Sequence, residues 1–118
     1  MTEKRDFVFI EHIMESINAI EDFSKNLSKE ELTSNRLKQS AIIREIEIIG
    51  EATKNLSENF KKKYKKIEWT NIAGTRDKMI HHYFGVDLNI VWSIIRKDIP
   101  SLKKNIEKIR RELNENPN

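Results

Sequence analysis

Three features of the chain predict an all-α fold, an antiparallel bundle of four to five helices. Apolar residues recur at spacings of three and four along most of the 118 residues, which is the repeat of one helix face. Glycines number three and prolines two, a scarcity that favours long helices joined by short connections. No run alternates polar and apolar residues as a half-buried strand would. A chain of this length is expected to form a single domain, residues 1–118, around one core.

The first stripe is Phe7, Ile10, Ile13, Met14, Ile17, Ile20 and Phe23, an amphipathic helix over about 5–24 that ends near Ser24 to Leu27. Ser28-Lys-Glu-Glu31 has the form of a capping box and opens a short helical turn. Ile42, Ile46, Ile49, Ala52, Leu56 and Phe60 predict a second long helix over 34–60, with Thr33 or Ser34 as N-cap. Gly50 lies beside that stripe. A glycine inside a helix costs about 1 kcal/mol relative to alanine, so close approach of another helix is expected there. Lys61 to Lys66 breaks the pattern and reads as an exposed helix end and connection. Trp69, Ile72, Ala73 and Ile80 carry a further helix, interrupted near Gly74 and ended by Gly85. Asp87 then caps a helix of Leu88, Val91, Trp92, Ile95 and Ile99, and Pro100 fits a first turn or a kink. Leu102, Ile106, Ile109 and Leu113 form the last stripe, with residues 114–118 frayed.

Charged residues are 35% of the chain, yet the net charge is only +3, so most of them serve as solvated helix faces. With no cysteine, the chain has no disulfide, no thiolate nucleophile and no cysteine-based zinc site. No segment approaches the roughly eighteen apolar residues of a membrane span, and the N-terminus carries no apolar signal core. A cytoplasmic protein without a membrane partner is the expectation.

The chemistry concentrates in Arg76-Asp-Lys-Met-Ile-His81-His82-Tyr83. A permanently charged guanidinium can hold a phosphate through paired N–H groups. Imidazole carries protons near neutral pH. Together they suggest phosphoryl-ester chemistry without a metal. On a regular helix Arg76 and Tyr83 share a side, whereas Arg76 and His81 lie roughly 140° apart. Convergence then needs a helix that is irregular near Gly74, side chains that reach around it, or a second copy across a two-fold axis. In the last turn, His81 would feel the helix dipole, which favours imidazolium. A purely structural alternative stands beside this one: Arg76 paired with Asp77 or Glu51, and His81 or His82 capping carbonyls. Adjacent His81 and His82 point about 100° apart and His12 is the remaining histidine, so no metal site is expected. Trp69 and Trp92 fall on apolar stripes and are expected in the core.

Beyond Arg76, His81 and Tyr83, which fit the pattern Arg-x4-His-x-Tyr, the chain carries Ile42 to Ala52, Glu68-Trp69, Ile72 to Arg76, Tyr83 to Asp87, Ile90 to Trp92 and Asp98 to Pro100. In these segments and their order it resembles the HepT-like branch of the HEPN superfamily, helical toxins paired with a minimal nucleotidyltransferase of the MntA type. The resemblance implies a homodimer with the motif lining an interfacial cleft, an RNA substrate, and a ribonuclease needing no metal or other cofactor. It implies that a ribose 2′-hydroxyl attacks the adjacent phosphate, with Arg76 stabilising the phosphate charge and His81 transferring the proton. Glu51 and His82 would support the cleft. Tyr83 matches the tyrosine that the antitoxin modifies with AMP. A different reading keeps the fold without the catalysis: a nucleotide-binding or partner subunit of a nucleotidyltransferase complex.

Overall fold

The computed structural model describes residues 4–81 and 85–115. Helices α1 (Lys4–Ser24), α2 (Lys29–Ser34), α3 (Arg36–Lys54) and α4 (Glu58–Lys63) form the first half. α5 (Trp69–Ala73) and α6 (Thr75–Met79) lead into a hairpin of β1 (Ile80–His81) and β2 (Gly85–Val86). The last arm is α7 (Leu88–Ser93), a π-helical segment (Ile94–Asp98) and α8 (Ile99–Glu115). The fold is an all-α bundle, and its strand content among the described residues is one antiparallel hairpin pairing Ile80 with Val86 and His81 with Gly85.

The apolar stripes become one core. α1 contributes Ile10, Ile13, Ile17 and Ile20, α3 contributes Ile42, Ile46 and Ile49, and α8 contributes Leu102, Ile106, Ile109 and Leu113. Each fully buried side chain of this size stabilises the fold by about 1.5–3 kcal/mol relative to exposure. α1 and α3 run antiparallel: Arg5 donates to the Asn55 carbonyl at 3.3 Å, and at the other end Lys38 donates to the Phe23 carbonyl at 2.9 Å. α8 is antiparallel to α1, with Arg110 on Glu11 at 2.8 and 3.2 Å and Lys103 on Glu21 at 2.7 Å. Exposed ion pairs of this kind are worth at most about 1 kcal/mol, so they select register more than they add stability.

Helix ends follow the capping chemistry. The Ser28 box is complete, with Glu31 N–H on Ser28 Oγ and Ser28 N–H on Glu31 Oε1, both at 3.1 Å. The next N-cap is Asn35, which accepts from Lys38 N–H at 3.0 Å, and neither Thr33 nor Ser34 takes that role. The expected 34–60 helix is two helices. Leu56 and Phe60 are both buried and keep a four-residue spacing across the break, so periodicity hides it. Ser57 recaps the chain by accepting from Phe60 N–H at 3.2 Å, while fully buried Asp6 accepts from both the N–H and the hydroxyl of Ser57 at 2.7 Å.

α6 also ends earlier than its apolar pattern suggests. Ile80 is already extended at φ −106°, ψ 117°, and Asp87 N–H donates to the Met79 carbonyl at 2.7 Å, satisfying a group that a longer helix would have paired internally. Gly85 closes the hairpin at φ 76°, a left-handed conformation that glycine adopts without a Cβ penalty. Asp87 then caps α7 through Asn89 N–H at 3.0 Å and Ile90 N–H at 3.3 Å. Pro100 sits just inside α8, after the π-helical segment in which Ile99 N–H reaches Ile94 O. A proline ring clashes with the carbonyl four residues earlier in a regular helix, and the widened turn lies at that position.

Candidate functional site

The site is assembled on α3, α5 and α6. Phe60, Tyr64 and Trp69 stack at one end of the bundle, with centroids 5.0 Å apart for Phe60–Tyr64 and 6.2 Å for Phe60–Trp69. Trp69 Nε1–H donates to the Tyr64 carbonyl at 3.2 Å and fixes the start of α5. Trp69 is buried as expected; Trp92 is half-buried and carries the Arg96 guanidinium 5.6 Å from its ring centroid. The end of α5 lies against Gly50, where a Cβ would stand 3.4 Å from the Ala73 carbonyl oxygen. That approach sets α6, and with it Arg76, beside α3.

Arg76 Nε–H donates to Glu47 Oε2 at 2.9 Å. The Arg76 side chain is 57% exposed and that of Glu47 26%. The contact uses Nε, and among the described residues neither terminal amino group of the guanidinium has a partner. Both are therefore available to an anion. The carboxylate on Arg76 is neither Asp77 nor Glu51. Glu51 stands one turn further along α3, pairs with Lys54 at 3.5 Å and lines a separate shallow hollow with Phe9, His12 and Arg44. Glu47 was legible only as far as its helix face, because Glu47 and Glu51 are four apart and share that face. Which turn meets Arg76 depends on how α6 docks.

His81 lies on β1, its backbone paired with Gly85, rather than in the last turn of a helix. The 140° helical offset from Arg76 and the helix-dipole effect on His81 therefore do not apply. His82 and Tyr83, and with them the shared helix face expected for Arg76 and Tyr83, lie outside the described residues. Around Arg76, α6 is tied down by its neighbours: Thr75 donates to the Asn71 carbonyl at 3.1 Å, and Lys78 to the Asn71 side chain at 3.0 Å.

Residues 13–109 match the family model described as Ribonuclease HepT-like. The chain belongs to the HepT-like family. A relative from Thermococcus cleftensis named "Probable ribonuclease HepT" is 44% identical over 103 residues, covering 87% of this chain and 94% of the relative. A Methanocaldococcus jannaschii protein named "Putative RNase" is 39% identical over 113 residues, covering 96% of this chain and 93% of its own length. A second protein from that organism, named "Gamma-glutamylcyclotransferase and putative RNase", is 46% identical over 111 residues. That match takes in 94% of this chain but only half of the relative's length, 50%. No solved structure matches the chain significantly. Among the described residues, no helix is long and apolar enough to cross a membrane.

Proposed function

We propose that this HepT-like chain is a metal-independent endoribonuclease acting as the toxin of a cytoplasmic toxin–antitoxin pair. The observation that carries the reading is the Arg76 guanidinium, anchored to α3 through Nε and, among the described residues, without a partner at either terminal amino group, five residues before His81 in a family described as ribonucleases. In the reaction the ribose 2′-oxygen attacks the adjacent phosphorus, the P–O5′ bond breaks, and a 2′,3′-cyclic phosphate and a 5′-hydroxyl result. His81 transfers the proton, and Arg76 takes up the negative charge that builds on the non-bridging oxygens. The chain works as a homodimer with both motifs near the two-fold axis. An MntA-type nucleotidyltransferase silences it by attaching AMP to Tyr83, which adds phosphate charge and bulk where an RNA phosphate must bind.

The test is cleavage of RNA by the purified protein in the presence of a chelator, with the product ends identified by mass spectrometry. Cyclic phosphate ends are expected, along with loss of activity in Arg76→Ala and His81→Ala at unchanged helicity. Full activity in both variants would overturn the assignment. Incubation with the nucleotidyltransferase and ATP should add AMP to Tyr83 and not to the Tyr83→Phe variant; AMP found on Tyr64 instead would end the regulatory part.

A further inference from the structure

Between α3, α5–α6 and the π-helical arm lies a cavity of about 570 Å³, within the usual size range of small-molecule sites. Its floor is branched aliphatic, with Ile46, Ile49, Ile94 and Ile99. Its rim is polar without a charge bias: among the described residues, Lys66 and Lys78 are matched by Glu68 and Asp98. The side-chain amides of Asn89 and Asn105 also face it and have no hydrogen-bond partner among the described residues. The π-helical segment supplies Ile94 to the floor and Asp98 to the rim, and such widened turns recur at functional sites.

Thr75 and Lys78 line the cavity from α6, the helix that carries Arg76, and Ile46 and Ile49 line it from α3, the helix that carries Glu47, the partner of Arg76. We infer that this cavity receives one unstacked base of a single-stranded RNA while a neighbouring phosphate is held at Arg76, an assignment that rests on the ribonuclease reading for its substrate. The lining suits a base better than a phosphate. A phosphate site would carry excess positive charge, whereas here two lysines are balanced by two carboxylates above an apolar floor. Base edges are read by amides and carboxylates of this kind, and single-stranded RNA is recognised through bases splayed out of the stack. Lys78, steadied by Asn71, and Asn71, which donates to Glu68 at 3.2 Å, form a fixed edge on one side.

The experiment is a titration of isoleucine-methyl-labelled protein with 2′-O-methyl hexa-adenylate and hexa-uridylate, followed by NMR. These probes cannot undergo 2′-attack, so binding is read whether or not the protein cleaves RNA. Saturable shifts are expected at the Ile46, Ile94 and Ile99 methyls and not at Ile13 or Ile17 in the α1 core. Ser93→Phe, which puts a ring at the exposed cavity edge, should raise KM for RNA about tenfold with kcat little changed, the equivalent of one lost base contact. Asn105→Tyr obstructs the opposite wall and serves if Ser93→Phe loses helicity. Equal shifts with inorganic polyphosphate would reduce the cavity to a phosphate site and overturn the inference. Shifts that follow protein concentration without RNA would give the cavity to a second copy and also overturn it. Normal KM in both variants, or no saturable shift, sinks the pocket and leaves the ribonuclease reading intact; saturable oligonucleotide shifts without any RNA cleavage do the reverse.

Discussion

Among the described residues Arg76 is held through one nitrogen, which leaves the rest of its guanidinium for the proposed phosphate contact. The Nε contact to Glu47 at 2.9 Å is more than half exposed on the arginine side, so it contributes under about 1 kcal/mol to stability. Its worth lies in fixing the guanidinium plane. Arg76→Ala should lower kcat for RNA by about 10²–10³, the usual cost of removing one transition-state donor. Glu47→Gln keeps a weaker acceptor and should cost about tenfold, with a thermal midpoint close to the parent. Equal losses in the two variants would mean Glu47 touches the reacting groups and is not merely positioning. Tyr64 offers a second residue-level test. Its hydroxyl donates to Glu112 at 2.9 Å, and burial first, then the Glu112 hydrogen bond and charge, push its pKa up to about 12. The folded state thus holds this proton more tightly than the unfolded chain does. The associated stability is complete below pH 10 and is lost as pH rises from the ordinary tyrosine value of 10.0 to about 12. Tyr64→Phe should therefore cost about 1 kcal/mol in denaturant melts at pH 7 and flatten the alkaline loss. An unchanged alkaline profile would show that the Glu112 contact does not persist in solution.

At the scale of elements, the hairpin controls where His81 stands. Gly85 has φ 76° and, among the described residues, nothing within 4 Å of where a Cβ would stand, so substitution there carries a backbone penalty without a packing one from those residues. Gly85→Ala should destabilise by about 1–2 kcal/mol, and Gly85→Asn by less, because asparagine tolerates the left-handed region. Calorimetry of the two variants checks the order; alanine as benign as asparagine would mean the turn opens in solution. The same hairpin marks where the sequence was hard to read. The core stripes of α1, α3 and α8 were legible because burial writes itself as a three-and-four spacing, and the Ser28 box and Asp87 cap were legible because capping is local. The end of α6 was not. Ile72 and Ile80 stay in phase with a helix, and the bond that replaces helical pairing comes from Asp87 to Met79, eight residues away and invisible to periodicity. The break between α3 and α4 was masked in the same way by Leu56 and Phe60. For the candidate site, the consequence is specific: Arg76 and His81 stand out in the sequence by type and motif, but the Glu47 partner of Arg76 and the strand setting of His81 depend on docking of α5 against Gly50, a tertiary contact.

For the whole molecule, the question is whether one chain completes a site. Arg76 leaves the bundle on α6 and His81 follows on the hairpin, so the helical offset that first suggested a composite cleft no longer supplies the argument. What remains is family membership and the proposed chemistry, in which one guanidinium and one imidazole meet the same phosphate. If the cleft is composite across a two-fold axis, with Arg76 of each site from one protomer and His81 from its partner, the two sites of a dimer exchange groups. Light scattering should then report a dimer, and complementation gives the sharper reading. Arg76→Ala and His81→Ala chains are each inactive, and are unfolded together, refolded and assayed. Half of the dimers are then mixed, and in each mixed dimer one site has lost both groups while the other keeps both. Activity should return to about a quarter of the parent value. Sites built within single chains would stay inactive in every combination, so confirmed mixed dimers without recovered cleavage would rule out the composite cleft.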